Sequence, residues 1–235
     1  MTMIKEMPGN ERPREKAMLY GVNVLSTREL LALLLRTGSK GESVLEVVDR
    51  LLVKSKGVSG LEKMSRHELC EIRGISDVKA VELLACMELN KRMLYEKARN
   101  EDVIAEPEHM VQWLQREIGP CVQEKFLAVY LDSSHHILSC QTMFVGTINS
   151  SHVYPRDVLR EALRESAVSM IIVHNHPGGS LEPGEADLQV TSLMIKTAAM
   201  MGITVDDHLI ITQNAWFSFA RAGIIEQIIE ELANK

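Results

Sequence analysis

The sequence predicts an α/β (α+β) protein in two parts: a small all-helical part over residues 1–100 and a mixed β-sheet part flanked by helices over residues 101–235. Three observations carry this. The first hundred residues read as helices throughout, with three Ser-x-x-Glu capping boxes. From Pro107 onward, short apolar runs of strand length alternate with helical segments, the pattern of helices laid against a sheet. The charge also changes sign, from +4 over residues 1–100 (18 Lys+Arg against 14 Asp+Glu) to -10 over residues 101–235 (8 against 18).

In the first part, Ser26 with Glu29, Ser43 with Glu46 and Ser65 with Glu68 mark helix starts. Gly38, Gly57 and Gly74 fall where helices stop. A longer helix covers roughly Asp77 to Ala98, and the polar segment KARNEDVIAEP reads as a linker. In the second part, Pro107 opens a short helix, PEHMVQWLQREIG. KFLAVYLD and HHILSCQTMFVG read as strands joined by a turn at Asp132, Ser133 and Ser134. Pro155 opens the helix PRDVLREALRESA, and SMIIVHNH is a strand. A helix fits from Gly184 to Met201, stopped by Gly202. ITVDDHLII and WFSFA read as two more strands, and IIEQIIEELANK as a terminal helix.

Composition narrows the class. At 46% hydrophobic and 25% charged, the chain reads as an ordinary soluble domain protein. No apolar run approaches the roughly 20 residues that span a bilayer. The first residues hold no apolar segment, so no signal peptide is expected and the protein reads as cytoplasmic. Cys70, Cys86, Cys121 and Cys140 lack CxxC spacing and read as reduced core thiols. The acidic second part repels a polyanion, whereas the first tolerates one.

The stretch IIVHNHPGGSLEPGEAD carries the chemistry. Strand alternation sets His174 and His176 on one face, with Asn175 opposite. Pro177 ends the ladder and the glycines allow a tight turn. Asp187 falls in the first turn of the next helix, where the dipole favours a carboxylate. Two readings stand at this point. The histidines are polar surface at a strand end, or they join Asp187 as three ligands around an open fourth position. In the second reading, zinc lowers the pKa of a bound water to about 7.

HNHPGGSLEPGEAD is similar to the JAMM motif of the MPN metalloprotease fold, His-x-His-Pro followed by Ser-x-x-Asp. Nearly the whole chain resembles the bacterial RadC family, long labelled DNA repair proteins. The resemblance runs through RPREKAMLYGVNVLSTRELLALLLRTGSKGESVLEVVDRLL, GTINSSHVYPRDVLREAL, HNHPGG and ITVDDHLII in that order. It implies an MPN/JAMM domain of cytidine-deaminase-like architecture over residues 101–235. It also implies one zinc ion per chain, held by His174, His176 and Asp187. Where the family has Ser, this chain has Gly184. That Ser is expected to help hold a tetrahedral oxyanion, so its loss bears on rate and leaves the ligands intact.

JAMM enzymes draw a general base from an earlier strand edge, and Glu124, just ahead of KFLAVYL, matches it best. Its other reading is a solvated charge opening a strand. Glu161 and Glu165 are weaker candidates, read as an exposed helix face. Asp207 and His208 are adjacent, so a strand points them oppositely; His208 reads as a hydrogen-bonded histidine near the sheet edge. Arg156 at a helix start reads as surface. ELCEIRGISDVKAVELLACMEL resembles a helix-hairpin-helix, with Gly74, Ile75 and Ser76 as its turn. In that motif, backbone N–H groups hold a DNA phosphate, and Lys79 and Arg73 would add charge. The leading expectation is a zinc-dependent metallopeptidase or isopeptidase acting on a peptide or protein. The alternative is a non-catalytic DNA-processing accessory protein that keeps the zinc site and touches DNA through residues 1–100.

Overall fold

The computed structural model describes residues 8–146 and 153–234. Residues 147–152, within the GTINSSHVYPRDVLREAL motif, lie outside the described residues. The chain forms two compact units, Met1–Asn90 and Lys91–Lys235, and the division falls inside the helix Asp77–Arg99.

The first unit is helical: α1 (Pro13–Tyr20), α2 (Thr27–Leu35), α3 (Val44–Lys54), α4 (Arg66–Cys70) and the start of α5 (Asp77–Arg99). The three capping boxes form as the sequence predicts. Ser26, Ser43 and Ser65 each accept the backbone N–H of the Glu three residues on, and each Glu accepts the Ser backbone N–H in return. Each cap contributes about 1 kcal/mol. Leu35, Val47, Val48, Leu51, Leu61, Leu69 and Leu83 make the core. Leu51 is fully buried, so truncation to Ala would cost about 2–5 kcal/mol.

The second unit starts with the last turns of α5. Ala98 and Val103 are buried among Val111, Leu114 and Ile171, so the KARNEDVIAEP segment is partly core. After α6 (Glu108–Glu117) come β1 (Lys125–Leu131), β2 (Ile137–Val145), α7 (Pro155–Arg164), β3 (Ser169–Asn175), α8 (Glu185–Ala199), β4 (Thr204–Ile211), β5 (Trp216–Ser218) and α9 (Ile224–Ala233). The sheet order is β2-β1-β3-β4-β5. β1 runs antiparallel to β2 and β3, β3 pairs with β4 in parallel, and β5 returns antiparallel.

Both faces of the sheet are covered, which is why β1 and β3 are apolar along their length. Leu127, Val129, Ile171, Val173 and Leu209 pack with Val111, Leu114 and Ile118 of the α6 side. Phe126, Ala128, Tyr130, Met170 and Ile172 pack with Val158, Met194, Ala198 and Ile225 of α7, α8 and α9. Helix α8 is the crossover between the parallel strands β3 and β4. It starts where β3 ends, and such a strand end is the usual place for a site in an α/β layer.

Candidate metal centre

The centre is built where β3 stops. His174 is the sixth residue of β3, on the same face as Met170 and Ile172. Pro177 follows, and the turn closes with Gly179 N–H donating to the His176 carbonyl at 3.0 Å. Gly179 sits at φ 82°, a conformation that suits glycine. This return brings the Ser180 carbonyl to His176 Nδ1 at 2.9 Å. A carbonyl only accepts, so the proton of neutral His176 lies on Nδ1 and its Nε2 keeps a lone pair.

Asp187 comes from the first turn of α8, as its sequence position predicts. Its Oδ2 accepts the Gly184 backbone N–H at 2.8 Å, which orients the carboxylate. His174 Nε2 and His176 Nε2 are 2.7 Å apart. His174 Nε2 lies 3.2 Å from Asp187 Oδ1, and His176 Nε2 lies 3.6 Å from Oδ2. Among the described residues these three are the group of His, Cys and carboxylate ligands placed to hold a metal. Two imidazole nitrogens and one carboxylate oxygen match the donors and ligand count of a catalytic zinc site. Tetrahedral ligands around zinc lie roughly 3.3 Å apart. The two His–Asp separations, one to each carboxylate oxygen, lie near that spacing, and the His–His pair must open by about 0.6 Å.

The electrostatics agree with a site made for positive charge. Burial alone would raise the Asp187 pKa, but its contacts with His174 and His176 and the Gly184 N–H hold it well below the usual carboxylate range. The hydrogen bond to Asp187 raises His176 against the opposing effect of burial, and the charge of Glu124 adds to the rise.

Glu124 stands just before β1. The antiparallel register pairs Phe126 with His174; continued by two residues, it brings Glu124 opposite His176. Its segment is clamped from below. Asn175 is fully buried; its Oδ1 accepts the Lys125 N–H at 2.7 Å and its Nδ2 donates to the carbonyls of Gln123 at 3.2 Å and Cys121 at 3.4 Å. Asn175 therefore fixes the approach of β1, although the sequence marked it only as the residue facing away. A polar side chain inside an apolar strand was its signal, because buried amides are hydrogen-bonded.

His208 differs most from its expectation. It lies in β4, which has a neighbour on each side, and it is completely buried rather than at a sheet edge. Parallel pairing sets it beside Ile172, on the face that carries His174. His208 Nε2 is 2.8 Å from His174 Nδ1, and His208 Nδ1 is 2.6 Å from Thr191 Oγ1. Burial pushes the His208 pKa well below the usual histidine range. Alternation does point Asp207 the other way: it accepts from Ser218 Oγ at 2.6 Å and from the Ala220 N–H at 2.8 Å. No pattern in the sequence joins Thr191 and His208, which depend on the register between β3 and β4 and on the seating of α8.

The remaining candidates fall elsewhere. Glu161 pairs with Arg160 and Arg164 on α7. Arg156 is exposed, lying over the Tyr154 ring. The cysteines are unpaired, but three are half-buried and Cys86 is exposed, so only in part are they core thiols. In the first unit the Gly74-Ile75-Ser76 turn forms, with Gly74 at φ 94° and its Cα against Val47. The Ile75 N–H donates to the Ile72 carbonyl at 2.9 Å. Lys79 Nζ donates to the carbonyls of Thr37, Gly74 (2.9 Å) and Gly38 (3.5 Å). In this conformation both groups already hold partners within the unit. Among the described residues, no helix is long and apolar enough to cross a membrane.

The sequence is similar to known proteins along most of its length. The family described as RadC-like JAB domain matches residues 104–224, and the family described as UPF0758 N-terminal matches residues 4–81. Similar proteins include a UPF0758 protein of Bacillus pumilus, 37% identical over 95% of this chain and 100% of the relative. A UPF0758 protein of Bacillus cereus is 39% identical over 96% of this chain and 100% of the relative. One of Bacillus licheniformis is 40% identical over 94% of this chain and 99% of the relative.

Proposed function

The chain belongs to the RadC family, and from that premise we propose that it is a zinc-dependent hydrolase of the JAMM type, cutting a peptide or isopeptide bond. The observation that carries the reading is the convergence of His174 Nε2, His176 Nε2 and an Asp187 carboxylate oxygen from a strand end and a helix start. These three would hold the zinc, which supplies Lewis acidity and an acidified water.

The chain's own groups supply the rest. The Glu124 carboxylate takes a proton from the attacking water and returns it to the leaving nitrogen, the work of a general base turned general acid. Asn175 keeps the segment carrying Glu124 in place through its three hydrogen bonds. Gly184 brings no hydroxyl to the developing oxyanion, so the reaction is slow in this chain.

The test is cleavage of a library of peptides and isopeptide-linked conjugates by the full chain, with and without a chelator. Cleavage that a chelator stops and added zinc restores supports the reading. No cleavage by the wild-type chain or by Gly184→Ser, across the whole library, would overturn it.

A further inference from the structure

We propose that His208 and Thr191 are positioning residues that fix the tautomer and direction of His174 toward the metal, an inference that rests on the metal-centre reading above. Helix α8 supplies the starting point. Thr191 has one hydroxyl proton, and its Oγ1 lies 2.5 Å from the Asp187 backbone carbonyl, which can only accept. With that proton committed, Oγ1 offers His208 Nδ1 a lone pair at 2.6 Å, so His208 donates from Nδ1. A neutral imidazole protonated at Nδ1 has its acceptor at Nε2, and that atom faces His174 Nδ1 at 2.8 Å. His174 must then donate from Nδ1, which leaves its Nε2 lone pair at the convergence point with His176 and Asp187.

The opposite proton order has a different consequence. Were Thr191 to donate to His208, His208 Nε2–H would face His174 Nδ1. His174 would then carry its proton on Nε2, where it blocks the metal. The bond from Thr191 to the carbonyl of Asp187 selects the first order. The relay therefore joins two of the three ligands, beginning on the backbone of Asp187 and ending on the ring of His174.

Its members are rigid. His174 is 1% exposed, and Thr191 and His208 are 0% exposed, so no water competes for these bonds. Phe219 stacks on the His208 ring with centroids 4.5 Å apart, and Phe126 meets it edge-on at 6.0 Å. Partners of this kind around a metal-bound histidine set ring orientation and basicity.

The experiment uses the full chain and zinc alone. Nitrogen-15 NMR of the metal-free protein reads the tautomers. His208 is expected to be protonated at Nδ1 and unprotonated at Nε2. Zinc affinity is then measured by competition with a chromogenic chelator. Thr191→Val keeps the side-chain shape and removes the hydroxyl, so affinity should fall about 10- to 100-fold. Thr191→Ser should recover most of the loss, and circular dichroism should show both variants folded. His208→Gln serves as the second variant, expected to weaken zinc by a similar factor. Two results would overturn the relay: His208 protonated at Nε2 in the wild-type chain, or wild-type zinc affinity in both Thr191→Val and His208→Gln. A wild-type chain with the expected tautomers that takes up no zinc would instead sink the metal-centre reading, and the purpose of the relay with it.

Discussion

At the end of β3 the chain turns polar atoms toward one another, whereas at the Gly74-Ile75-Ser76 turn it closes its polar groups on itself. His174, His176 and Asp187 converge within hydrogen-bonding range, and their other polar atoms are held by Ser180, Gly184 and His208. At the turn, Lys79 is consumed by three carbonyls and the Ile75 N–H by a fourth. Other basic residues of that unit are likewise partnered: Arg28 with Asp49, Arg50 with Glu42, Lys54 with Glu71, Arg66 with Asp77. Both regions were picked out by short motifs. The difference is that one spends its supporting hydrogen bonds on aiming donors outward, while the other spends the donors themselves on holding the fold.

The largest effect that would test this contrast is at Glu124. Glu124→Gln should lower single-turnover cleavage by about 10²–10⁴-fold. Zinc content should stay at the wild-type level; a parallel loss of zinc would make Glu124 a ligand instead of a base.

Gly184→Ser works in the other direction. Gly184 has φ −82° and ψ 167°, an ordinary extended conformation, and an added Cβ would first meet Asp187 Oδ2 at 3.4 Å, a normal contact. Serine therefore fits and supplies an oxyanion donor, so the rate should rise by about 10²–10³-fold. Equal rates for the two forms would mean that another group already supplies that contact.

Asn175→Ala should lower the rate by up to about 100-fold, the scale of an ångström-sized misplacement of a catalytic group. Zinc affinity should not change, because the Asn175 side chain bonds to the backbone of Cys121, Gln123 and Lys125. If the rate held while the thermal midpoint fell, Asn175 would only be supporting the fold.

Lys79→Met gives the smallest effect. Loss of its bonds should cost the first unit about 1–3 kcal/mol in a denaturant titration. Any DNA affinity of the chain should keep its salt slope. A slope reduced by about one unit would instead return Lys79 to a phosphate contact.

Much of the fold could be read from the sequence because its signals are local. The capping boxes, the prolines at helix starts and the period-two runs each fix an element within a few residues, and every predicted strand forms. The convergence of His174, His176 and Asp187 was legible for the same reason, since strand alternation and a helix first turn place them without knowledge of the sheet. Thr191 and His208 were not legible. They meet only because β3 and β4 pair in one particular register and α8 lies across them, and register is a tertiary outcome. The partners of Lys79 were hidden for a related cause: the carbonyls of Thr37 and Gly38 are brought to it by packing. Charge and polarity marked residues 97–107, and they gave no sign that Ala98 and Val103 are buried.

The central claim is that His174, His176 and Asp187 form one metal centre. Elemental analysis of the purified full chain beside His176→Ala tests it most directly. The account predicts close to one zinc per wild-type chain and a loss of stoichiometric zinc in the variant. Undiminished zinc in His176→Ala would contradict it.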